Sequence, residues 1–463
     1  MKQVNFANDK IVRNILSTAM PLMAAQVLNL LYNIVDRIYI ARIPEVGTQA
    51  LGSVGLCFPI ILMVSAFTNL YGLGGAPLFS IELGKGDRDE AGRLMNTAFF
   101  LEISTGIVLM VLGMLFAGPM LRLFGASDTA LEFSVPYIRI YLIGTLFTMT
   151  AAGMNPYINA QGFSLIGMFS VAIGAVANLL LDPLFIFAFG LGIRGAAIAT
   201  VLSQAMSAAF SLSFLRGKKT MFRLKRLTFD EIRHSGQRIL NIVSLGVSSF
   251  VMQVTNSLVQ IACNNVLSAT GGDLYITIMT IVNSIRQMMD TPVHSIAEGS
   301  IPVISFNYGA RKAARVLKSM LVMMIMGVIC TLVMWFLILR FPAKLISVFS
   351  SDVTILDDAI PALQMYFGAY IFMTLQFCGQ TVFKALNKRK FAIFFSIFRK
   401  VIIVVPLTYL LPYALHMGTD GVFRAEAVSN VIGGLACFIT MVITVIPELR
   451  RMAQEEECLN ADR

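Results

Sequence analysis

The sequence predicts an all-α polytopic membrane protein with about twelve transmembrane helices in two pseudo-symmetric six-helix lobes. Of its 463 residues, 57% are hydrophobic and 13% are charged, and the mean hydropathy of +0.76 is far too apolar for a soluble protein. Apolar stretches of about 20 or more residues recur along the whole length, and each can cross a hydrocarbon core of roughly 30 Å as a helix. These stretches do not alternate polar and apolar residues, which excludes a transmembrane β-barrel.

The apolar runs, taken in chain order, define the individual helices. They lie at roughly 13–41, 50–82, 93–117, 133–158, 164–189, 195–216, 237–267, 273–304, 314–340, 357–384, 391–415 and 420–446. An even number of spans returns both ends to one side, and most of the 36 Lys and Arg residues lie in or beside segments on that side. By the positive-inside rule this side is the cytoplasm. We therefore expect a multi-pass protein of the inner (cytoplasmic) cell membrane with both termini cytoplasmic, and we attribute the net charge of +10 to orientation rather than to nucleic-acid binding.

The chain repeats itself at a nearly constant offset, which divides it into two lobes. The matching pairs include Pro77 with Pro302, Ser80 with Ser305, Gly84 with Gly309, Tyr141 with Tyr366 and Gly195 with Gly421. Because each half holds an even number of spans, the halves have the same orientation and are related by an axis along the membrane normal. We expect an N-terminal lobe at 1–220, a basic cytoplasmic linker at 221–236, and a C-terminal lobe with a short cytoplasmic tail at 237–463.

Several other kinds of site are not indicated. The six cysteines show no ligand spacing and the three histidines lie far apart, so the sequence predicts neither a disulfide framework nor a metal site. It contains no G-x-x-x-x-G-K-[ST] nucleotide motif and no H-E-x-x-H or G-x-S-x-G catalytic motif. We therefore expect no enzymatic activity and no cofactor beyond a coupling proton or sodium ion. The polar start and the absence of a cleavage site after the first apolar run indicate no signal peptide.

The stretch N-L-L-L-D-P-L-F-I-F-A-F, at 178–189, places an amide and a carboxylate in an otherwise apolar helix. Asn178 and Asp182 lie one turn apart and share a helix face. Pro183 leaves the Leu179 carbonyl without its intrahelical partner. A charge is expensive in hydrocarbon, so such residues usually face an internal cavity and mark an ion or substrate pathway.

The predicted topology brings Asp36 and Thr200 to the depth of Asp182. Asp36 lies about five residues before the outer end of helix one, Asp182 about seven before that of helix five, and Thr200 about five into helix six. Together with Asn178 they form a set of two carboxylates, an amide and a hydroxyl. Such a set can bind a proton shared between the acids, or a small hard cation that prefers oxygen ligands.

A purely structural interpretation of these residues stays open. In that case Asp36 is interfacial or pairs with Arg37, and Asn178 tethers a neighbouring helix. Pro21 and Pro183 give helices one and five places to bend.

Helix eight reads S-I-R-Q-M-M-D-T-P-V-H-S-I-A-E-G and places Asp290 near its middle, one turn after Arg286. We expect Asp290 to line a substrate cavity in the second lobe together with Gln287, Met288 and Glu298. The alternative is a structural pair between Arg286 and Asp290 at i and i+4.

The remaining intramembrane residues give weaker indications. Glu102 and Glu426 lie within about ten residues of a predicted helix end, where water is near, and we expect neither to act alone. Arg286 is the only clear cation in the middle of a span. Most of the 27 Met and 34 Phe residues should face lipid or pack between helices, and the rest offer a polarisable surface for varied hydrophobic ligands.

These motifs resemble those of the multidrug and toxic compound extrusion (MATE) family, over essentially the whole chain. The resemblance rests on Asn178-x-x-x-Asp182-Pro183-Leu184, Thr200 eighteen residues beyond Asp182, Asp36 in the first helix, and Glu298-Gly299 with Pro302 at the end of helix eight. Within the family the sequence is similar to the bacterial branch that includes the DNA-damage-inducible and staphylococcal multidrug pumps. The resemblance implies a two-lobe antiporter that expels organic cations in exchange for protons or sodium. It also implies that Asp36, Asn178, Asp182 and Thr200 are the cation-coupling residues.

The expected function is therefore multidrug efflux, that is, secondary active export of organic, cationic amphiphilic compounds by a monomer in the lipid bilayer. The alternative is a flippase for a lipid-linked sugar or peptidoglycan precursor, which shares the broader fold. Such a flippase must hold a pyrophosphate and needs a cationic cavity. The sequence instead shows mid-span acids at Asp36, Asp182 and Asp290 against the single cation Arg286.

Overall fold

The computed structural model describes residues 3–44, 46–225, 231, 234–349 and 355–461. Within these residues the chain consists of helices, turns and short loops, and it contains no β-strand. The predicted all-α class is therefore confirmed.

Helices follow one another closely in the first half of the chain. They are α1 (Ile11–Ala41), α2 (Gly47–Lys85), α3 (Arg88–Leu123), α4 (Asp128–Ile143), α5 (Thr145–Ala160), α6 (Ser164–Pro183), a π-helix (Leu184–Ala188) and α7 (Gly192–Arg216). Local sequence explains two of the starts. Asp87 accepts a hydrogen bond from the Glu90 backbone N–H at 2.9 Å, and Ser127 accepts one from the Ala130 N–H at 3.3 Å. These are N-caps, which satisfy backbone donors that the first helical turn leaves free.

The second half contains longer and more interrupted helices. They are α8 (Gly236–Gly309), α9 (Ala313–Arg340), α10 (Pro342–Ser347), α11 (Leu356–Tyr366), α12 (Tyr370–Ala385), α13 (Arg389–Ile397), a π-helix (Phe398–Val404), α14 (Val405–Tyr409), a π-helix (Leu410–Ala414) and α15 (Gly418–Ala461). The long α8 is two helices joined at Gly272, whose φ of 67° and ψ of −163° are non-helical. Glycine adopts this backbone without a Cβ clash. The break falls between the predicted seventh and eighth spans.

Nine helices in the described part of the chain are long and apolar enough to cross a membrane, and the pair α4 and α5, which is bent by 52°, makes a tenth if the two helices are counted as one span. The other two predicted spans, 273–304 and 357–384, are helical but do not meet that test. The first carries charges such as Arg286 and Asp290, and the second is interrupted between Tyr366 and Tyr370. These features shorten the continuous apolar stretch of each span, but the protein remains all-α and polytopic.

Apolar side chains cover the outer faces of several spans. On α9, Leu321, Ile325, Ile329 and Phe336 are all exposed and recur at helical spacing. A contiguous apolar face of this size is unfavourable in water and is suited to contact with lipid chains.

The chain folds into two compact units. The first is Met1–Val4, Ala24–Glu82 and Asp87–Gly246, and the second is Asn5–Met23, Leu83–Gly86 and Val247–Arg463. The start of α1 thus belongs to the second unit, and the division within α1 falls just after Pro21.

The predicted boundaries between the lobe at 1–220, the linker at 221–236 and the lobe at 237–463 stay a prediction. Within the linker, 226–230 and 232–233 lie outside the described residues.

Each unit has its own buried apolar core. In the first unit it gathers residues from α1, α2, α3, α4, α7 and the π-helix Leu184–Ala188, including Ile40, Cys57, Ile138, Ile186 and Ala196. In the second unit the core includes Val266, Leu267, Ile285, Leu363 and Phe423. Both predicted polar sites lie beside these cores, so their side chains are held among well-packed neighbours.

The start of α1 packs tightly on α8 within the second unit. The Thr18 hydroxyl donates a hydrogen bond to the Gly299 carbonyl at 2.6 Å. A Cβ atom added at Gly299 would lie 2.7 Å from the Ala19 Cα. This close approach of two backbones requires glycine, since any larger residue would push the helices apart.

Candidate functional site

The end of α6 places Asn178 and Asp182 side by side in the first unit. Both are buried, with 2% and 0% of their surface exposed, and the Asn178 Nδ2 donates a hydrogen bond to the Asp182 Oδ1 at 3.1 Å. The α-helix ends at Pro183, and the chain continues as the π-helix (Leu184–Ala188). This is the irregularity expected of proline, which cannot donate a backbone hydrogen bond. The free Leu179 carbonyl stays a prediction.

Small residues hold α6 and its π-helix against α7. The Ser207 hydroxyl donates to the Ser170 carbonyl at 2.8 Å, and the hydroxyls of Ser170 and Ser211 are 2.6 Å apart. At the other end, a Cβ atom on Gly195 would lie 2.5 Å from the Phe185 carbonyl oxygen. These contacts fix the rotation of α6 and thereby the direction of its polar face.

The structure brings Asp36 of α1 to the same site. Its carboxyl group interacts directly with that of Asp182. Three oxygens of the cluster, Asp36 Oδ1, Asp182 Oδ2 and Asn178 Oδ1, are buried and have no hydrogen-bond partner among the described residues. Arg37 is exposed and lies over the Phe58 ring, with its Cζ 5.9 Å from the ring centroid.

Thr200 lies in α7 with 9% of its surface exposed. Its hydroxyl donates to the carbonyl of Ala196 on its own helix at 2.9 Å, which leaves the oxygen lone pairs for another group. No contact described for Thr200 joins it to the two acids. Its role in orienting the ion therefore stays a prediction.

Three tyrosines surround the acids, and they were not predicted from the sequence. Tyr32 of α1 and Tyr137 of α4 interact electrostatically with both Asp36 and Asp182, and Tyr141 interacts with Asp36. The rings of Tyr137 and Tyr141 stack with centroids 6.3 Å apart. The spacing of Tyr137 and Tyr141 by four residues, which places them on one helix face, is the sequence signal that could have identified this pair.

This arrangement matches the chemistry of a small cation. Two carboxylates that share a low-dielectric site are unfavourable when both are charged, so a proton or a metal cation relieves their repulsion. Oxygen atoms without partners are the ligands that sodium and similar hard cations take. The assignment of these residues as the cation-coupling site stays a prediction.

The second unit contains a separate polar cavity with about 60 Å³ of space open to water-sized molecules. Its walls come from α8, α12 and α13 with its π-helix, and comprise Met252, Asn256, Arg286, Asp290, His294, Met373, Gln376, Phe377, Gln380, Phe395, Ser396, Arg399 and Lys400. Asp290 is among them, as predicted. It accepts a hydrogen bond from the Tyr370 hydroxyl at 2.9 Å, and its Oδ2 lies 3.9 Å from the Arg286 Nε.

The other predicted members of this cavity lie elsewhere on α8. Gln287 and Met288 are exposed, and Glu298 interacts electrostatically with Lys384. None of the three is among the residues that line the cavity of Asp290. Their part in substrate binding stays a prediction.

Two expectations about charge in the second half were wrong. Arg399 and Lys400 are buried in the middle of the span Arg389–Ala414, with 5% and 4% exposure, so Arg286 is not the only mid-span cation. Both donate to the Glu426 Oε1, from the Arg399 Nη1 at 2.9 Å and the Lys400 Nζ at 3.0 Å. Glu426 is itself buried rather than near water. In sequence both cations lie well inside the predicted span 391–415, so a signal for them was present and was not used, whereas Glu426 lies near a predicted helix end.

The helices, the apolar spans and the two buried polar centres define a polytopic membrane protein of the transporter type. The chain belongs to the MatE family, whose sequence profile matches residues 21–184 and 248–410. The resemblance to MATE proteins inferred from the motifs is thus confirmed.

Known relatives align over nearly the full length. Multidrug export protein MepA of Staphylococcus haemolyticus is 22% identical over 437 residues, which are 94% of each chain. An FAD transporter of Shewanella oneidensis is 23% identical over 436 residues, 92% of this chain and 93% of the relative. The solved outward-facing conformation of a multidrug resistance MATE family transporter of the MOP superfamily has a TM-score of 0.89 and 21% identity, covering 98% of this chain and 99% of that one. A MOP superfamily transporter from Pyrococcus furiosus, described as having a binding pocket of reverse polarity, gives the same values.

Proposed function

We propose that this protein is a secondary active antiporter that exports organic, cationic amphiphilic compounds in exchange for protons or sodium ions. The observation that carries the proposal is the buried cluster of Asp36, Asn178 and Asp182, with one unpartnered oxygen on each residue. The family assignment and the relatives named as multidrug export proteins support the drug substrates.

The cluster provides a physical route for coupling. With both acids charged, their repulsion favours a hydrated, separated arrangement of α1 and α6. Loading one proton or sodium ion removes that repulsion and favours a closer arrangement. Ion and drug then need no shared pocket, because exchange requires only that each bind a different conformation more tightly.

The proposal also includes the location, oligomeric state and partners of the protein. It acts as a monomer in the inner (cytoplasmic) membrane, with both termini cytoplasmic, and it does not bind nucleic acid. It uses no cofactor other than the coupling ion and catalyses no covalent chemistry. The relatives that align with it are transporters, in keeping with this view.

A flippase for a lipid-linked sugar or peptidoglycan precursor is the second candidate. One observation favours it, namely the buried cations Arg399 and Lys400 beside Arg286, which supply the charge that a pyrophosphate needs. The two candidates differ in substrate, so gradient-driven transport of an amphiphilic cation separates the antiporter from a flippase for a pyrophosphate-linked lipid.

The test is efflux of a fluorescent lipophilic cation from membrane vesicles, with the pH gradient and the sodium gradient imposed separately. An antiporter should move the dye against its gradient when at least one ion gradient is present. If neither gradient drives uphill transport of the dye, the antiporter is contradicted and the flippase becomes the leading candidate.

A further inference from the structure

The cavity in the second unit carries an excess of positively charged groups. Arg286, Arg399 and Lys400 line it, and the carboxylates that face these cations are Asp290 and Glu426. Glu426 lies in the wall of a smaller adjoining cavity, with about 20 Å³ open to water-sized molecules, which Arg286 and Lys400 also line. A buried charge is unfavourable unless it is paired and fully hydrogen-bonded.

Arg286 is the least satisfied of the three cations. Its guanidinium has five N–H donors, and the described hydrogen bond goes from the Nη1 to the hydroxyl of Tyr366, a neutral group, at 2.9 Å. Both acids are too distant for a hydrogen bond, since the Glu426 Oε1 is 3.7 Å and the Asp290 Oδ2 is 3.9 Å away. The side chain is 26% exposed and lines both cavities.

Neighbouring groups engage those acids more closely. Arg399 and Lys400 bind Glu426 at hydrogen-bond distance, and Tyr370 binds Asp290. Each acid thus has a closer partner than Arg286, whose guanidinium keeps two longer charge pairs and stays partly exposed to the cavity. Arg399 also keeps an unsatisfied donor, because its Nε is buried and has no partner among the described residues.

The cavity wall also offers surface for the apolar part of an amphiphilic ligand. Met252, Met373, Phe377 and Phe395 provide apolar and polarisable surface. Gln376, which also lines it, has a buried Oε1 without a partner among the described residues and can accept a hydrogen bond from a ligand.

We propose that this cavity binds the acidic group of a transported organic compound, a carboxylate or a phosphate, with Arg286 as the anchor. Guanidinium matches the two oxygens of such a group in a bidentate arrangement. This inference rests on the proposed function and extends its substrates from cations to zwitterions and organic anions. Lys400 adds positive charge to the site, and the aromatic wall holds the apolar part of the ligand.

The test compares two dyes that differ in one group, a rhodamine zwitterion with a free carboxylate and its methyl ester, which is a simple cation. Binding to the purified full-length protein in detergent is followed by fluorescence anisotropy. Loss of a charge-assisted, bidentate contact should lower the affinity of Arg286→Gln for the acid about tenfold or more. Its affinity for the ester should change by less than about twofold.

Two further variants complete the comparison. Arg286→Lys keeps the charge and should retain part of the affinity for the acid even if Arg286→Gln folds poorly. Arg311→Gln, which removes an exposed pair with Glu455, is the control and should leave both affinities unchanged. The proposal is overturned if the unsubstituted protein does not bind the acid. It is also overturned if both Arg286 variants lose affinity for the acid and for the ester equally.

The same dyes separate this inference from the proposed function. If vesicles transport neither dye under any gradient while the acid still binds through Arg286, the antiporter is wrong and the anion site stands. If the ester is exported and the acid binds without regard to Arg286, the antiporter stands and the anion site is wrong.

Discussion

Glu426 and Glu102 are both buried, but in the part of the chain that the structure describes only Glu426 has charged partners. Glu426 is contacted by the side chains of Arg399 and Lys400, whereas both carboxyl oxygens of Glu102 are buried with no hydrogen-bond partner among the described residues. The first therefore compensates buried charge, and the second does not.

This contrast predicts different responses to the same substitution. Glu426→Gln leaves two buried cations without their counter-charge and should lower the free energy of unfolding by about 3–5 kcal/mol. Glu102→Gln replaces a carboxyl with an amide of the same shape, where no described partner is lost, and should not destabilise the protein. Thermal unfolding in detergent measures both.

A matched loss of stability in the two variants would contradict this account of Glu426. So would a stable Glu426→Gln protein, because it would mean that water or another acid compensates the two cations.

The sequence predicted those candidate functional residues that stand out from their immediate neighbours in the chain. Asn178 and Asp182 were identifiable because two polar groups at i and i+4 stand out in an apolar run. Arg399 and Lys400 lie inside the predicted span 391–415 among apolar neighbours, so the sequence carried a signal for two mid-span cations that the prediction did not use. The approach of Asp36 to Asp182 joins distant helices, and topology predicted their common depth but not their contact.

Helix α1 approaches α8 through a contact that allows no added atom. Ala19 and Gly299 bring their backbones together, and the Thr18 hydroxyl bonds across the contact. Gly299→Ala should therefore strain the second unit and lower the free energy of unfolding by about 1–3 kcal/mol. The measurement is the unfolding temperature of the purified protein.

Gly55 provides the control within α2. A Cβ atom there would meet no atom within 4 Å, and the next residue is Leu56 rather than proline, so Gly55→Ala should be neutral or slightly stabilising through better helix propensity. Equal behaviour of the two substitutions would show that the approach of α1 to α8 is looser than described.

The positions of the helices were predictable from sequence because apolar runs of spanning length fix them. The interruptions within the helices were harder to predict. The π-helix (Leu184–Ala188) begins directly after Pro183, while the role of this proline in bending the helix stays a prediction. The π-helices Phe398–Val404 and Leu410–Ala414, and the bend between α4 and α5, were not predicted. Such irregularities depend on what neighbouring helices supply to the freed backbone groups, which a single sequence does not contain.

The two halves of the chain are related by a repeat, yet their polar centres have opposite character. The first unit holds two acids with unpartnered oxygens, and the second holds a cavity with three cations. At the offset that aligns Gly195 with Gly421, Thr200 corresponds to Glu426, so equivalent positions serve different chemistry. One half is thus suited to a coupling cation and the other to an acidic ligand.

The orientation of the whole protein is tested by cysteine labelling. In a variant without the six native cysteines, a single cysteine replaces either Lys219 or Lys344, which are both exposed. The distribution of Lys and Arg predicts that a membrane-impermeant thiol reagent outside intact cells labels position 344 and not position 219. The reverse pattern would place the termini outside.

The central claim is that Asp36 and Asp182 together form the coupling site. The most direct measurement is uphill efflux of a lipophilic cation from vesicles, driven by a pH or sodium gradient, in Asp36→Asn and Asp182→Asn. Asp128→Asn, which affects an exposed acid beside Arg122, is the control. Both site variants should lose gradient-driven efflux while they still fold and bind the dye, and the control should keep it. Near-normal uphill transport by either site variant would contradict the claim and move coupling to another acid, with Asp290 and Glu298 the next candidates.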